Sequence, residues 1–143
     1  MSDRQVAEAV GIDLYSYGDI EWHADELCRA VPLCRIKKLS EVLDMDLFEL
    51  VAVHCPFCVD KTAYLEAYRL PRNEQIKTAR LSVGLSQKQF AERAEFSDVG
   101  LEEMERDPHF LDESTVESVQ DLAAILNIPF QVMAGWKCPK CGR

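Results

Sequence analysis

The sequence predicts an all-α fold built from two similar halves, and three observations lead there. Apolar residues recur at helical spacing between recognisable caps. The N-terminal portion reappears about 84 residues further on, and each portion closes in a Cys-Pro-x-Cys pair, VHCPFCVD at 53–60 and WKCPKCGR at 136–143.

The repeat sets the frame for every element. Residues 2–21, SDRQVAEAVGIDLYSYGDIE, lie over 86–105, SQKQFAERAEFSDVGLEEME, at an offset of 84. Ser2, Gln5, Ala7, Glu8 and Glu21 meet identical residues at Ser86, Gln89, Ala91, Glu92 and Glu105. Val6, Ile12, Tyr17 and Ile20 meet Phe90, Phe96, Leu101 and Met104. One residue is then lost, and at an offset of 83 Leu39, Leu43, Cys55, Pro56 and Cys58 meet Leu122, Leu126, Cys138, Pro139 and Cys141. Self-similarity at a fixed period marks a tandem duplication. The expected units are 1–58, a helical linker over 59–71, and 72–143.

Within the first unit the chain begins inside what is the second helix of the other copy, so a leading helix is missing. In the linker, DKTAYLEAYRL (60–70) is amphipathic, with Tyr64, Leu65 and Tyr68 on one face. Burial of one large side chain is worth roughly 1.5–3 kcal/mol, so something must cover Val6, Val10, Ile12 and Ile20. The nearest candidate is this linker, and a dimer partner is the alternative. The second unit opens with a helix over Glu74–Val83, ended by Gly84. Ser86 caps a helix whose Phe90, Ala91 and Ala94 form a stripe. After a turn at 95–97, Ser97 caps a helix burying Leu101 and Met104. Val116, Val119, Leu122, Ala123 and Leu126 mark a longer amphipathic helix with Asn127 at its end. Pro129 suits the first turn of a last short helix, PFQVMAG.

LSQKQFAERAEFSDVGLEEMER followed by LAAILNIPF resembles the phage-repressor-like (Xre-type) helix-turn-helix family. The matching positions are Gln87, Ala91, Leu101, Met104, Glu105 and Arg106. The first copy is similar through RQVAEAVGIDLYSYGDIE and LSEVLDMDLFEL, without helix one. The resemblance implies two tandem lambda-repressor-like repeats, a recognition helix in the major groove of double-stranded DNA, and transcription regulation. By position it implies that Gln87 and Lys88 touch the backbone and that Ser97, Asp98, Gly100, Glu102 and Glu103 face bases, with Arg106 beside them. Residues 97–107 nevertheless carry five acids and one Arg. Carboxylates can accept from cytosine N4 but repel phosphate. The other function that fits is a protein-binding adaptor or antitoxin-like module that has kept the fold and lost the DNA surface. Its partner would dock on the acidic helices. Tyr15 and Tyr17 read as core residues before base-stacking ones.

VAVHCPFCVDKTAYLEAY taken alone looks like a glutaredoxin site, with Cys55 at a helix N-terminus. No βαβ pattern surrounds it, and only Gly142 and Arg143 follow the second pair. CPKCG instead looks like a zinc-ribbon turn, where backbone N–H groups point at thiolates and two turns complete a tetrahedron. The candidate ligands of a structural zinc are Cys55, Cys58, Cys138 and Cys141, across a span of 79 residues between the two pairs. Closing such a loop costs about 4 kcal/mol, against about 10–16 kcal/mol apparent from structural zinc. A redox pair or inert thiols are the remaining readings. His54 stands as a neighbour, and Cys28 and Cys34 as buried core cysteines.

Composition bounds the rest. The 143 residues are 48% hydrophobic, with no apolar run near the roughly 20 a membrane span needs. The start, MSDRQVAEAV, lacks the features of a signal peptide. Six cysteines without an export signal point to reduced thiols and a cytoplasmic protein. Sixteen basic against 25 acidic residues give a net charge of −9, which argues against a non-specific DNA coat. Bases are few enough that DNA binding would call for a homodimer on paired half-sites. No Gly-rich phosphate loop, His-Glu-x-x-His or Gly-x-Ser-x-Gly occurs, so no enzyme is expected.

Overall fold

A computed structural model describes all residues except Ala24 and the side chain of Asp98. Its described residues are predominantly helical, with no β-strand and one isolated bridge, Pro32 to Thr115. In chain order the helices are α1 (Asp3–Val10), α2 (Leu14–Trp22), α3 (Glu26–Ala30), α4 (Leu33–Leu43), α5 (Leu47–Leu50) and α6 (Pro56–Val59). They continue as α7 (Arg72–Ser82), α8 (Gln87–Ala94), α9 (Asp98–Arg106), α10 (Val116–Leu126) and α11 (Phe130–Ala134). Among the described residues no helix is long and apolar enough to cross a membrane.

The caps explain where these helices start. Ser2 Oγ accepts from the Gln5 N–H at 3.3 Å while the Gln5 side chain accepts from the Ser2 N–H at 2.8 Å. Ser86 and Gln89 form the same reciprocal pair at 3.2 and 2.9 Å. Two otherwise orphaned donors are satisfied at each site. Asp13 caps α2 through the Ser16 N–H, as Ser97 caps α9 through the Gly100 N–H. The stops recur too. Gly11 and Glu95 end α1 and α8 in left-handed conformation, Asp44 and Asn127 end α4 and α10, and Ala52 and Gly135 follow at the next turn. Every one of these pairs keeps the 84- or 83-residue offset of the sequence.

The halves share one core. Val6, Val10, Leu33, Ile36 and Leu39 lie in the same apolar cluster as Ile76, Phe90, Leu101, Met104, Val119 and Leu122. Where the halves meet, α3 packs on α10 and α4 packs on the 3-10 turn at Phe110–Glu113. The Leu33 N–H donates to the Ser114 carbonyl at 2.8 Å beside the Pro32–Thr115 bridge. Polar contacts reinforce this seam. Asp112 accepts from Lys37 Nζ at 2.9 Å and from Arg72 at 2.9 and 3.0 Å. Two cations on one carboxylate outweigh the burial that works against it and hold its pKa at about 2. Burial pulls the Lys37 ammonium below its ordinary value despite the pairing.

Several expectations change. The leading helix of the second half begins at Arg72, after Pro71 at its N-cap, and ends at Ser82. Segment 60–70 forms two 3-10 turns, Lys61–Ala63 and Glu66–Arg69, in place of a continuous helix. Tyr64 and Tyr68 do not cover α1 and α2. They pack on Phe57, with ring centroids 5.1 and 6.0 Å away, in a second small cluster under the cysteines. Val6 and Val10 are buried instead by α1 packing on α4 and α2. Cys28 and Cys34 are half-buried, not buried. Tyr17 is core, but Tyr15 is exposed.

Candidate metal centre and nucleic-acid face

The fold brings the two Cys-Pro-x-Cys turns together. Cys55 sits at the N-cap of α6 with Pro56 at the first helical position, and buried Phe57 anchors the turn to Phe48 and the linker tyrosines. The second turn closes on itself. The Cys138 N–H donates to the Arg143 carbonyl and the Gly142 N–H to the Cys138 carbonyl, both at 2.8 Å. Gly142, at φ 74, supplies the left-handed step this reversal needs.

All four sulfurs lie within 4.8 Å of one another. Cys55 Sγ is 3.7 Å from Cys141 Sγ, and Cys58 Sγ is 3.5 Å from Cys138 Sγ. A tetrahedron with metal–sulfur bonds of about 2.3 Å has edges of about 3.8 Å, so the spacing suits one thiolate-coordinated ion. His54 is not among these ligand atoms. The electrostatics point the same way. At Cys55 burial opposes ionisation, but the Gln131 amide and the backbone N–H groups of Cys58 and Phe57 outweigh it and bring the pKa to about 7. Cys58 is pushed up to about 12, first by its contact with Cys138, and burial pushes Cys141 up. Four adjacent thiols cannot all ionise without a cation between them.

Gln131 is the residue the sequence reading missed. It is buried, and its Nε2 donates to Cys55 Sγ at 3.3 Å and to the Arg143 carbonyl at 2.9 Å. One side chain thus orients a ligand of the first turn and the end of the second. Nothing in the segment PFQVMAG marks it, because the role exists only once both turns have met.

On the opposite kind of surface, α8 and α9 form a helix-turn-helix with Phe90, Ala91, Leu101 and Met104 buried between them and α10. Lys88, Glu102, Glu103 and Arg106 are exposed. Ser97 is committed to its cap, and a Cβ on Gly100 would stand 3.1 Å from the Ser97 hydroxyl. The side chain of Asp98 lies outside the described residues. Gln87 is exposed at the start of α8, with its Nε2 donating to Glu105 at 2.9 Å. Glu105 is not a surface acid. It forms a buried ion pair with Arg80 of α7, whose guanidinium also reaches the Leu85 carbonyl. Arg80 is therefore withdrawn from the set of bases that could meet phosphate. Arg143 donates to the Lys61 carbonyl and lies over Tyr64.

Residues 76–133 match the model of the helix-turn-helix family. The match runs from Ile76 in α7 to Met133 in α11, and so spans the helix pair just described. No curated protein and no solved structure matches the chain.

Proposed function

We propose that the chain is a DNA-binding transcriptional regulator of the Xre helix-turn-helix type, with α9 as its recognition helix and a structural zinc held by Cys55, Cys58, Cys138 and Cys141. The similarity to the helix-turn-helix family supports a DNA-binding regulator in general. The observation that carries the specific reading is the α8–α9 pair, capped at Ser86 and Ser97, with one face buried and the other free. In such a pair the start of α8 meets the phosphate backbone and the outer face of α9 meets base edges. Gln87 and Lys88 fill the first role, and Ser97, Asp98, Gly100, Glu102 and Glu103 flank the second, with Arg106 at its end.

The two halves are read as a tandem duplication, 1–58 and 72–143 with 59–71 between. Helix starts, left-handed stops and cysteine turns all repeat at one pair of offsets. Equivalent residues Pro32 and Thr115 pair with each other, and the first cysteine of each turn faces the second of the other. Those reciprocal contacts are what a pseudo-twofold axis produces. Zinc at this axis would fasten the two ends, since a closed four-thiolate set leaves no open position for chemistry. Reduced thiolates of this kind fit a cytoplasmic protein.

A second reading has its own support. Glu102 and Glu103 are exposed on the outer face of α9 and Arg80 is unavailable, which favours a protein-binding adaptor or antitoxin-like module. Fluorescence anisotropy on random duplex DNA at low salt separates the two. Saturable binding that weakens as salt rises supports the regulator, and no binding at any salt removes it.

A further inference from the structure

In the second half, α7 covers the back of the helix-turn-helix. It packs against α9 and α10, burying Ile76. Met104 and Leu126 on those helices are buried, and Arg80 meets Glu105 with side chains only 8% and 6% exposed. Asn73 adds a bond to the Glu105 carbonyl at the end of α9.

The equivalent positions of the first half are Ile20, Leu43 and Glu21. Ile20 and Leu43 are only half-buried, and Glu21 is exposed. Among the described residues no cation pairs with Glu21, although its counterpart Glu105 has a buried one. Next to it Trp22 is 85% exposed, and Met45 past the end of α4 is 41% exposed. Among the described residues no other helix takes the place that α7 holds in the second half, because α2 packs on α1 and α3 alone among the substantial helix contacts.

We propose that this face is an acceptor for a cationic amphipathic helix supplied by a different protein, with an aliphatic residue set over Ile20 and, one turn later, an Arg or Lys on Glu21. The inference rests on the equivalence of the halves proposed above and is independent of DNA binding. The spacing of the occupant is copied from Ile76 and Arg80. Its charge follows from the two walls: α2 carries Asp19 and Glu21 and no base, while the cations of α4 are already engaged, Arg35 with the Val10 carbonyl, Lys37 with Asp112 and Lys38 with Glu41. A second copy of this chain is a poor occupant. Pairing α2 with α2 opposes like charges, and lending α7 would undo its own Arg80–Glu105 pair.

The probe is a peptide of residues 71–84, titrated into the isotope-labelled full-length chain. Backbone shifts should concentrate on Ile20, Glu21, Trp22 and Leu43. Glu21→Gln in the chain and Arg80→Gln in the peptide should each weaken binding about tenfold, and together little more. Because so short a peptide is barely helical by itself, a linked variant provides the second measurement. Residues 71–85 are joined directly before Ser2 in place of Met1, which reproduces the connection of α7 to Ser86. Its melting temperature should rise and the Trp22 indole should leave water, and Glu21→Gln should cancel most of the gain. Shifts confined to the α9 face, or a linked variant with Trp22 still in water, overturn the proposal. A chain that sediments as a dimer with Trp22 already protected also overturns it, in favour of a second copy.

Discussion

Cys58 Sγ stands 3.5 Å from Cys138 Sγ, so the last cysteine of the first turn faces the first cysteine of the second. The contact joins residues 80 positions apart, at the far ends of the two halves. Purified protein should hold one zinc per chain by elemental analysis. Cys58→Ser and Cys141→Ser should lower the melting temperature alike, because each removes one of four ligands although Cys58 is exposed and Cys141 half-buried. A preparation free of metal, made without chelator, would sink the shared site. Two zincs per chain would mean separate sites.

Gln131→Leu tests the outer layer of the same centre. It keeps the side-chain volume near its native value and removes the donor to Cys55 Sγ and to the Arg143 carbonyl. Competition with a chromophoric chelator should show zinc affinity falling by about 10–100-fold, the usual effect of losing such a partner. Unchanged affinity would reduce Gln131 to a packing residue.

The seam between the halves should be acid-sensitive. Asp112 has a folded pKa of about 2 against an ordinary carboxyl value of 3.8. A depressed carboxyl pKa stabilises the fold above the unfolded value, and the gain is lost as pH falls from about 3.8 toward 2. The full effect is on the order of 2 kcal/mol. Thermal melts from pH 6 to about 2 should therefore fall less steeply for Asp112→Asn than for the parent, from a lower starting point. Parallel curves would show that Lys37 and Arg72 do little for Asp112.

Arg80 and Glu105 form a buried pair that also positions Gln87. Arg80→Met leaves Glu105 buried without its partner, and denaturant titration should show a loss of about 3–5 kcal/mol. Arg80→Met with Glu105→Leu should recover much of it, since replacing both charges by apolar groups removes the unpaired one. A double variant no better than the single would mean that Gln87 or the Leu85 carbonyl carries the effect.

What was legible in the sequence was local. Ser2, Ser86 and Ser97 announce helix starts because a cap needs only its next three residues, and the stripe through Leu101 and Met104 needs only one helix. The four cysteines were readable because their spacing carries chemistry by itself. The linker departs from a continuous helix for a physical reason. Asp60 accepts from the Thr62 N–H at 3.0 Å and from its hydroxyl at 2.6 Å, a local bond that diverts the backbone into a 3-10 turn. Periodicity showed that Tyr64 and Tyr68 share a face but not that Phe57 would be their partner. Asp112 meets Lys37 and Arg72 across 75 and 40 residues, Gln131 meets Cys55 across 76 and Arg80 meets Glu105 across 25, and no pattern along the chain reports such pairs.

The proposed DNA reading predicts its own salt dependence. The bases left around the helix pair are Lys77, Lys88, Arg93 and Arg106, all exposed, once Arg80 is set aside. Each phosphate neutralised contributes about 0.9 to the slope of log K against log salt. Three contacts per chain thus give a slope of about −2.7, weak for a monomer and useful only in a homodimer on paired half-sites. Lys88→Ala should weaken binding to every sequence alike and flatten the slope by about 0.9, since a backbone contact reads no bases. Replacing Glu102 and Glu103 with Gln should strengthen non-specific binding, because repulsion disappears while no contact to phosphate is added. Anisotropy titrations at several salt concentrations check all three outcomes. If even the double Gln variant ignores duplex DNA at low salt, α9 is not a DNA-reading helix, and its acids belong to a docking face for a basic protein.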